Sequence, residues 1–270
     1  MNVAREVEGL KMHGAQNTFV LVDERPQTRD DYAALARQVC APEGPFGGAD
    51  GLLVVAEAPG AAAEMRIFNA DGTEPEMCGN GVRCVARYLA DRGAADAFTI
   101  ATPAGPIATE IVAREPFAAR IDVGPVSFPH GAPQTLTVLG TTWTFLAVSL
   151  GNPHAVIFVD DVVTPDLAAL GRAFNAHPQF PQGINLHVAR VAASAPALLD
   201  VRHYERGVGL TQACGTGAVA CAAAAIVVHG VASPVTVRVP GGTLHVAWQP
   251  GATAQLTGPA EPLFARPLAR

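Results

Sequence analysis

The sequence predicts an α+β protein built from two copies of one unit, and three observations support this. The order strand, short helix, strands, long helix, strands occurs twice along the 270 residues. Each long helix opens with a Cys-Gly-x-Gly motif, and the two cysteines, Cys78 and Cys214, lie 136 residues apart, about half the chain length. A repeat at that distance is typical of internal duplication, so we expect two similar halves.

The first half contains two predicted helices among short strands. Apolar side chains at helical spacing indicate a short helix over 31–39 and a long helix over 79–89. A turn is expected at 13–17. Short apolar or β-branched runs predict strands over 18–22, 52–56 and 65–69, with further strands and hairpins over 98–123.

The second half repeats this order after a connecting segment at 125–131. Its long helix, over 216–229, is so rich in alanine and other small residues that we expect it to be buried. A Gly-Asn-Pro-His turn is expected at 151–154. The other predicted elements are a short helix over 165–173 and strands over 143–150, 155–159, 185–191, 199–204, 235–239 and 244–248.

Composition argues against several classes of protein. A net charge of −6 does not suit a nucleic-acid binder, which needs a basic surface. No run of 18 apolar residues is present and the first residues carry no apolar signal core, so we expect neither a membrane span nor secretion. Five cysteines without a signal favour free thiols in a reducing compartment, and hence a cytoplasmic protein.

The two Cys-Gly-x-Gly motifs carry the chemical prediction. A thiolate at a helix N-terminus is stabilised by the helix dipole and nearby N–H groups, which lowers the pKa of the cysteine. The glycines let the backbone approach a ligand and direct N–H groups at an anion. A matched pair suggests two thiols facing each other across a cleft between the halves. Racemases and epimerases need such an acid–base pair, one group on each face of a carbon.

The remaining cysteines and the single lysine limit the cofactors and metals that we expect. Cys84 and Cys221 lie inside the same two helices and are expected to be buried packing residues, while Cys40 has no predicted role. A pyridoxal Schiff base requires a lysine. Lys11 is the only lysine in the sequence, and its neighbours do not form a pattern typical of a phosphate-binding site. No metal-ligand spacing of His or Cys is present. We therefore expect neither a cofactor nor a metal.

Seven blocks, in order and nearly end to end, carry a family resemblance. They are KMHG at 11–14, FNADG at 68–72, EMCGNGVRC at 76–84, GNPHAV at 151–156, GIN at 183–185, YERGVG at 204–209 and ACGTGA at 213–218. With these blocks the chain resembles the diaminopimelate epimerase family. The family comprises pyridoxal-independent enzymes of bacterial lysine and peptidoglycan precursor synthesis, which interconvert LL- and meso-2,6-diaminopimelate.

The resemblance implies a role for each matching residue. Cys78 and Cys214 would be the two acid–base thiols, assisted by His154 and Glu205, which would line the cleft and contact the reacting amino group. The α-carboxylate would be bound at the two helix N-termini by Gly79, Asn80, Gly215 and Thr216. The rest of the substrate, mainly its distal end, would be held by Asn69, Asn152, Asn185 and Arg206, and Asn17 would complete the pocket.

The resemblance also implies the architecture. Each half would be a mixed β-sheet wrapped around a central helix, and the halves would be pseudo-symmetric. The N-terminal half would comprise residues 1–118 and 259–270, and the C-terminal half residues 119–258, because the chain would return near 261–264. The family further suggests a homodimer that acts on a small-molecule amino-acid substrate.

Departures from the family pattern leave alternatives open. The chain has Thr18, Gly51 and Leu210 where relatives usually have Asp, Gln and Glu. The alternatives are an epimerase or racemase of another amino acid on the same fold, and a non-catalytic homologue that binds a small molecule. Oxidative joining of Cys78 to Cys214 is a further hypothesis, which would inactivate the enzyme.

Overall fold

The computed structural model describes residues 7–25, 31–193, 195 and 197–268. These residues form α-helices and β-strands in two compact units. Unit 1 runs to Ile121 and resumes at Gly258, and unit 2 is Asp122–Thr257. The predicted α+β fold class is confirmed.

The described part of unit 1 contains two helices and eight strands. The helices are α1 (Tyr32–Val39) and α2 (Gly79–Ala90). The strands are β1 (Val7–Gly14), β2 (Asn17–Asp23), β3 (Gly51–Ala56), β4 (Ala63–Asn69), β5 (Ala97–Thr102), β6 (Gly105–Arg114), β7 (Phe117–Pro125) and, near the chain end, β17 (Glu261–Leu268).

Unit 2 has a similar order of elements, with one additional short strand before its long helix and with its edge strand at the start of the unit. Its helices are α3 (Leu167–Ala176) and α4 (Gly215–His229). Its strands are β8 (Gln134–Val138), β9 (Thr141–Ser149), β10 (Pro153–Phe158), β11 (Asn185–Val191), β12 (Leu198–Glu205), β13 (Gly209–Thr211), β14 (Val235–Val239), β15 (Gly242–Ala247) and β16 (Thr253–Pro259).

Strand pairing shows that one folding pattern is used twice. In unit 1, β1 and β2 are antiparallel, α1 connects the parallel pair β2–β3, β3 and β4 are antiparallel, and α2 connects the parallel pair β4–β5. In unit 2, β9–β10, β10–β11, β11–β12 and β12–β14 follow the same sequence of orientations, with α3 and α4 as the connections. The edge strands of the two units also correspond, since β17 pairs antiparallel with β1 and β8 pairs antiparallel with β9.

The long helices are the buried centres of their own units. In α4 every residue from Gly217 to Ala225 is buried, and the helix packs against β9, β10, β11, β12, β14 and β15. In α2 all but one residue is buried, against strands of unit 1. Cys84 and Cys221 are fully buried within these helices, as predicted. Alanine at the contact faces allows the strands to approach the helix axis closely.

The sequence missed several strands and misplaced two turns. It gave no prediction for β1, β8, β13, β16 and β17. The turn predicted at 13–17 is only Ala15–Gln16, both at positive φ, because β1 and β2 continue on either side as a tight hairpin. Likewise Pro153 and His154 already belong to β10 rather than to a turn.

Candidate functional site

Cys78 caps the N-terminus of α2 in unit 1. Its backbone is extended, with φ −143° and ψ 113°, and its carbonyl accepts the first helical hydrogen bond, from Val82 N–H at 2.9 Å. The N–H groups of Gly79 and Asn80 therefore precede the helical ladder. A Cβ at Gly81 would lie 2.8 Å from Leu53 Cδ2, so the second glycine of the motif lets the helix start pack onto β3.

A side-chain network connects the Cys78 thiol to the β1–β2 hairpin. Asn17 Oδ1 lies 4.0 Å from Cys78 Sγ and accepts a hydrogen bond of 3.2 Å from Asn80 Nδ2. Asp50 orients this amide by accepting from Asn17 Nδ2 at 2.9 Å, and it also accepts from the N–H and the hydroxyl of Thr18. The network presents the amide oxygen of Asn17 to the thiol.

Arg83 lies fully buried behind this network. Its guanidinium donates to Asn80 Oδ1 at 2.8 Å, to the Gly79 carbonyl at 3.4 Å and to the Pro259 carbonyl at 3.3 Å. Burial lowers the pKa of Arg83 to about 10, so the side chain stays cationic at neutral pH. A buried positive charge therefore supports the first turn of α2, where an anion is expected.

Asn69, the remaining predicted residue of unit 1, ends β4. Its side chain donates to Thr73 Oγ1 at 2.9 Å, closing the turn that follows the strand. Gly51 lies opposite Asn69 in the β3–β4 ladder, and a Cβ at Gly51 would lie 2.8 Å from the Phe68 carbonyl. This close approach gives a packing reason for glycine at one of the three departure positions.

Cys214 caps α4 in unit 2 and is buried. Its sulfur accepts from Gly217 N–H at 3.3 Å and lies 3.6 Å from Thr216 Oγ1. The first helical hydrogen bond runs from Ala218 N–H to the Cys214 carbonyl, so the N–H groups of Gly215 and Thr216 precede the ladder, as those of Gly79 and Asn80 do in α2.

The pKa prediction for Cys214 is wrong in sign. Burial raises the pKa of this thiol well above its usual value, and the nearby Glu205 carboxylate raises it further. The hydrogen bonds from Thr216 and Gly217 act in the opposite direction but do not overcome these effects. Glu205 itself accepts from Thr211 Oγ1 at 2.5 Å. In this environment Cys214 is a thiol, which is the form that donates a proton.

His154 lies at the start of β10, completely buried. Its Nε2 is 2.9 Å from Asn152 Oδ1 and its Nδ1 is 2.9 Å from His187 Nε2. Burial, with smaller effects from His203 and Arg206, lowers the pKa of His154 to about 3, so the imidazole is neutral.

Asn185 and Arg206 meet where β11 begins and β12 ends. Asn185 Nδ2 donates to the Pro153 carbonyl at 3.1 Å, and Asn185 Oδ1 accepts from the Arg206 N–H at 3.0 Å. The Arg206 guanidinium donates to the Gln182 carbonyl at 3.0 Å, and the side chain is exposed. Asn185 thus ties the start of β10 to the 204–209 corner, which places Arg206 at the surface of unit 2.

Each unit therefore gathers its own share of the predicted residues. Unit 1 brings together Cys78, Gly79, Asn80 and Asn17, with Asn69 at the end of a neighbouring strand. Unit 2 brings together two groups, one at the start of α4 and one at the ends of its strands: Cys214, Gly215, Thr216 and Glu205, then Asn152, His154, Asn185 and Arg206.

Sequence reasoning missed the residues that support these groups. They are Asp50 and Arg83 in unit 1, and His187 and His203 in unit 2. His187 and His203 carried a signal, because each lies two residues from a predicted site residue, Asn185 or Glu205, on the same face of a strand. No sequence signal marked the buried Arg83, since an arginine in a helix is usually exposed.

Two further structural findings concern ligands and membranes. Among the described residues no group of three or more His, Cys, Asp or Glu side chains is arranged to hold a metal ion. Lys11 donates to the carbonyls of Phe46 and Gly48, at 2.7 and 2.8 Å, and so fastens the loop before β3. No helix in the described part of the chain is long and apolar enough to span a membrane.

Comparison with known proteins identifies the family. The family model described as diaminopimelate epimerase matches residues 9–129 and 146–262. The diaminopimelate epimerase of Desulfitobacterium hafniense is 39% identical over 96% of this chain and 96% of its own length. That of Carboxydothermus hydrogenoformans is 40% identical over 96% of this chain and 98% of its own. The chain belongs to the diaminopimelate epimerase family. It is accordingly an isomerase, as the sequence predicted.

Solved structures with the same fold lie outside this close group. A phenazine biosynthesis protein of the PhzF family from Bacillus anthracis superposes with a TM-score of 0.77 at 16% identity, over 98% of this chain and all of its own. A hydroxyproline epimerase from Agrobacterium vitis superposes with a TM-score of 0.69 at 17% identity, covering 98% of this chain and 93% of its own. The diaminopimelate epimerase family thus shares its fold with proteins of other names.

Proposed function

We propose that this protein interconverts LL- and meso-2,6-diaminopimelate, with Cys78 and Cys214 as the two bases. The observation that carries the proposal is the matched placement of the two thiols. Each caps the long central helix of its own unit, at the same point of a duplicated strand order, in a chain of this family. A duplication that kept a thiol at both positions fits chemistry that needs one acid and one base.

The proton balance of the reaction is simple. One cysteine, as thiolate, removes the α-proton and becomes a thiol. The other cysteine, as thiol, delivers its proton to the opposite face of the same carbon and becomes a thiolate. The reverse reaction exchanges the two roles. The raised pKa of Cys214 supports its entering one direction as the protonated partner.

The carbanion formed between these steps needs electrostatic stabilisation. Backbone N–H groups ahead of a helical ladder, together with the helix dipole, favour the negative charge that develops on the α-carboxylate. Gly79, Asn80, Gly215 and Thr216 supply such groups. In unit 1 the cationic Arg83 adds to this effect through its hydrogen bonds to Gly79 and Asn80.

We assign the remaining predicted residues to the rest of the substrate. A diamino diacid carries a second carboxylate and a second ammonium group. The guanidinium of Arg206 is exposed and matches a carboxylate in shape, while the amides of Asn69, Asn152 and Asn185 can serve either charge. The homodimer and the cytoplasmic location are predictions of the sequence and the family.

A substrate panel tests the proposed function. Purified protein is incubated in D2O with LL-diaminopimelate, meso-diaminopimelate, lysine, ornithine, proline and hydroxyproline, and exchange of the α-hydrogen is followed by NMR. We expect exchange and inversion with the two diaminopimelate isomers only. Exchange confined to a monocarboxylic amino acid would instead support an epimerase of another substrate, and exchange with none would support a binding protein.

A further inference from the structure

Three buried imidazoles form a continuous hydrogen-bonded chain in unit 2. His154 Nδ1 lies 2.9 Å from His187 Nε2, and His187 Nδ1 lies 2.8 Å from His203 Nδ1. The residues are 0%, 0% and 1% exposed. His187 and His203 face each other across the β11–β12 ladder, and Gly217 of α4 packs directly on both rings. The proposed reaction assigns neither His187 nor His203 a role.

The proton positions in this hydrogen-bonded chain are fixed by its inner end. His203 Nε2 is buried and has no hydrogen-bond partner among the described residues, and an orphaned N–H is costlier there than a bare nitrogen, so His203 carries its proton on Nδ1. His203 Nδ1 then donates to His187 Nδ1, and His187 Nε2 donates to His154 Nδ1. His154 therefore carries its proton on Nε2, and its partner there must be an acceptor, which is the amide oxygen of Asn152.

The surroundings keep all three rings neutral. Burial lowers the pKa of His154 and of His203 to about 3 and that of His187 well below its usual value. Within the hydrogen-bonded chain, neighbouring histidines further disfavour a positive charge on His154 and on His187, and Arg206 does so on His154. One proton per ring and one ring nitrogen without a partner at the inner end therefore define a single proton arrangement among the described residues.

We propose that His187 and His203 are positioning residues that, through His154, fix the orientation of the Asn152 amide. The amide oxygen is held inward by His154 Nε2–H, so the amide N–H groups are the end left for a ligand. The Asn152 subsite then accepts a carboxylate oxygen and disfavours an ammonium group. His154 acts through Asn152 rather than as a proton acceptor. This inference rests on the proposed function, because it places the substrate at Asn152.

The proposed hydrogen-bonded chain tolerates some substitutions of His187 and not others. Glutamine can replace the imidazole, because its amide donates with nitrogen and accepts with oxygen and so preserves the direction of the chain. Leucine fills similar space but breaks the chain. Val188→Ala is the matched control, since Val188 is a buried neighbour on β11 whose side chain packs in the apolar cluster away from the histidines.

Two measurements test the proposal. The first is long-range ¹H–¹⁵N correlation of the imidazoles in histidine-labelled protein, which separates protonated from bare ring nitrogens. We expect protons on Nε2 of His154, Nε2 of His187 and Nδ1 of His203, unchanged between pH 5.5 and 8.5. A proton on Nδ1 of His154, or a cationic ring, would overturn the proposal. This readout needs no substrate, so it stands even if the proposed activity fails.

The second measurement is steady-state kinetics on folded variants. A lost hydrogen bond to a charged group costs about tenfold or more in binding. We therefore expect His187→Leu to raise KM for diaminopimelate about tenfold with a smaller change in kcat, and His187→Gln and Val188→Ala to stay within about threefold of the original protein. An unchanged KM in folded His187→Leu would contradict the proposal, as would equal loss in the glutamine and leucine variants.

Discussion

At the scale of single residues, the environment of Cys214 decides its chemistry more than its place at a helix start. The helix terminus and the Gly217 N–H favour the thiolate, but burial and the Glu205 charge favour the thiol more strongly. The sequence showed the helix start and could not show burial. For that reason the position of Cys214 at a helix start was predicted correctly, while the direction of its pKa was not.

Removing the Glu205 charge should make this balance visible. In Glu205→Gln we expect the pKa of the Cys214 thiol to fall by about one pH unit, because a nearby negative charge no longer opposes the thiolate. The pKa is measured from thiolate absorbance during a pH titration, with Cys214→Ala subtracted. Glu110→Gln, an exposed change in unit 1, is the control. An unshifted titration would show that burial alone sets the pKa.

At the scale of elements, α4 depends on having no side chain at Gly217. A Cβ there would lie 2.6 Å from His187 Cε1 and 3.0 Å from His203 Nδ1. The Cys-Gly-x-Gly pattern was interpreted as a means of approaching a ligand, yet its second glycine in each unit is buried against protein atoms. The pattern predicts a helix start correctly, but only tertiary packing reveals what each glycine touches.

The Gly217→Ala variant tests this packing. Alanine favours helix by about 1 kcal/mol over glycine, whereas overpacking costs about 1–3 kcal/mol. We expect a net loss in the free energy of unfolding, measured by urea denaturation. In the His187→Ala background the shortest contact is removed and only the one with His203 is left, so the same change should cost less. Equal effects in both backgrounds would show that the two residues do not interact.

Strands at the edges explain why the element prediction was incomplete. The β17 segment contains Pro262 and Pro267, which argue against a strand, yet both are accommodated because β17 pairs with β1 alone among the described strands. The β1 segment lacks clear alternation, so no period of two marked it. The helices and central strands, whose apolar patterns are regular, were found within a few residues of their observed ends.

At the scale of the whole molecule, the duplication was the most predictable feature. Two short motifs half a chain apart were sufficient to predict it, and the repeated order of parallel and antiparallel pairs in the two units bears it out. The supporting residues differ between the units: a buried arginine bonds Asn80 in the first turn of α2, whereas histidines pack against Gly217 in the first turn of α4. Such differences leave no trace in the motif that the units share.

The stability of the molecule should decrease in mild acid because of the buried histidines. Folding lowers the pKa values of these histidines, so below about pH 6.5 the unfolded chain binds more protons than the folded chain. The free energy of unfolding therefore decreases as the pH is lowered. Between pH 7 and 5.5 each neutral histidine contributes about 1.2 kcal/mol of loss, or about 4 kcal/mol for three. Urea denaturation at pH 7 and at pH 5.5 measures this decrease in the free energy of unfolding. In His203→Phe the loss should shrink by about one third; an unchanged loss would contradict this.

The central claim is that two thiols serve opposite faces of one α-carbon. The most direct measurement is epimerisation of LL-diaminopimelate in D2O, stopped before equilibrium and analysed for deuterium by mass spectrometry. A two-base mechanism predicts deuterium in the product and hydrogen in the remaining substrate, since the donating thiol exchanges with solvent. It also predicts that Cys78→Ala and Cys214→Ala each abolish inversion. Product that retains its hydrogen, or full activity in either variant, would contradict the account.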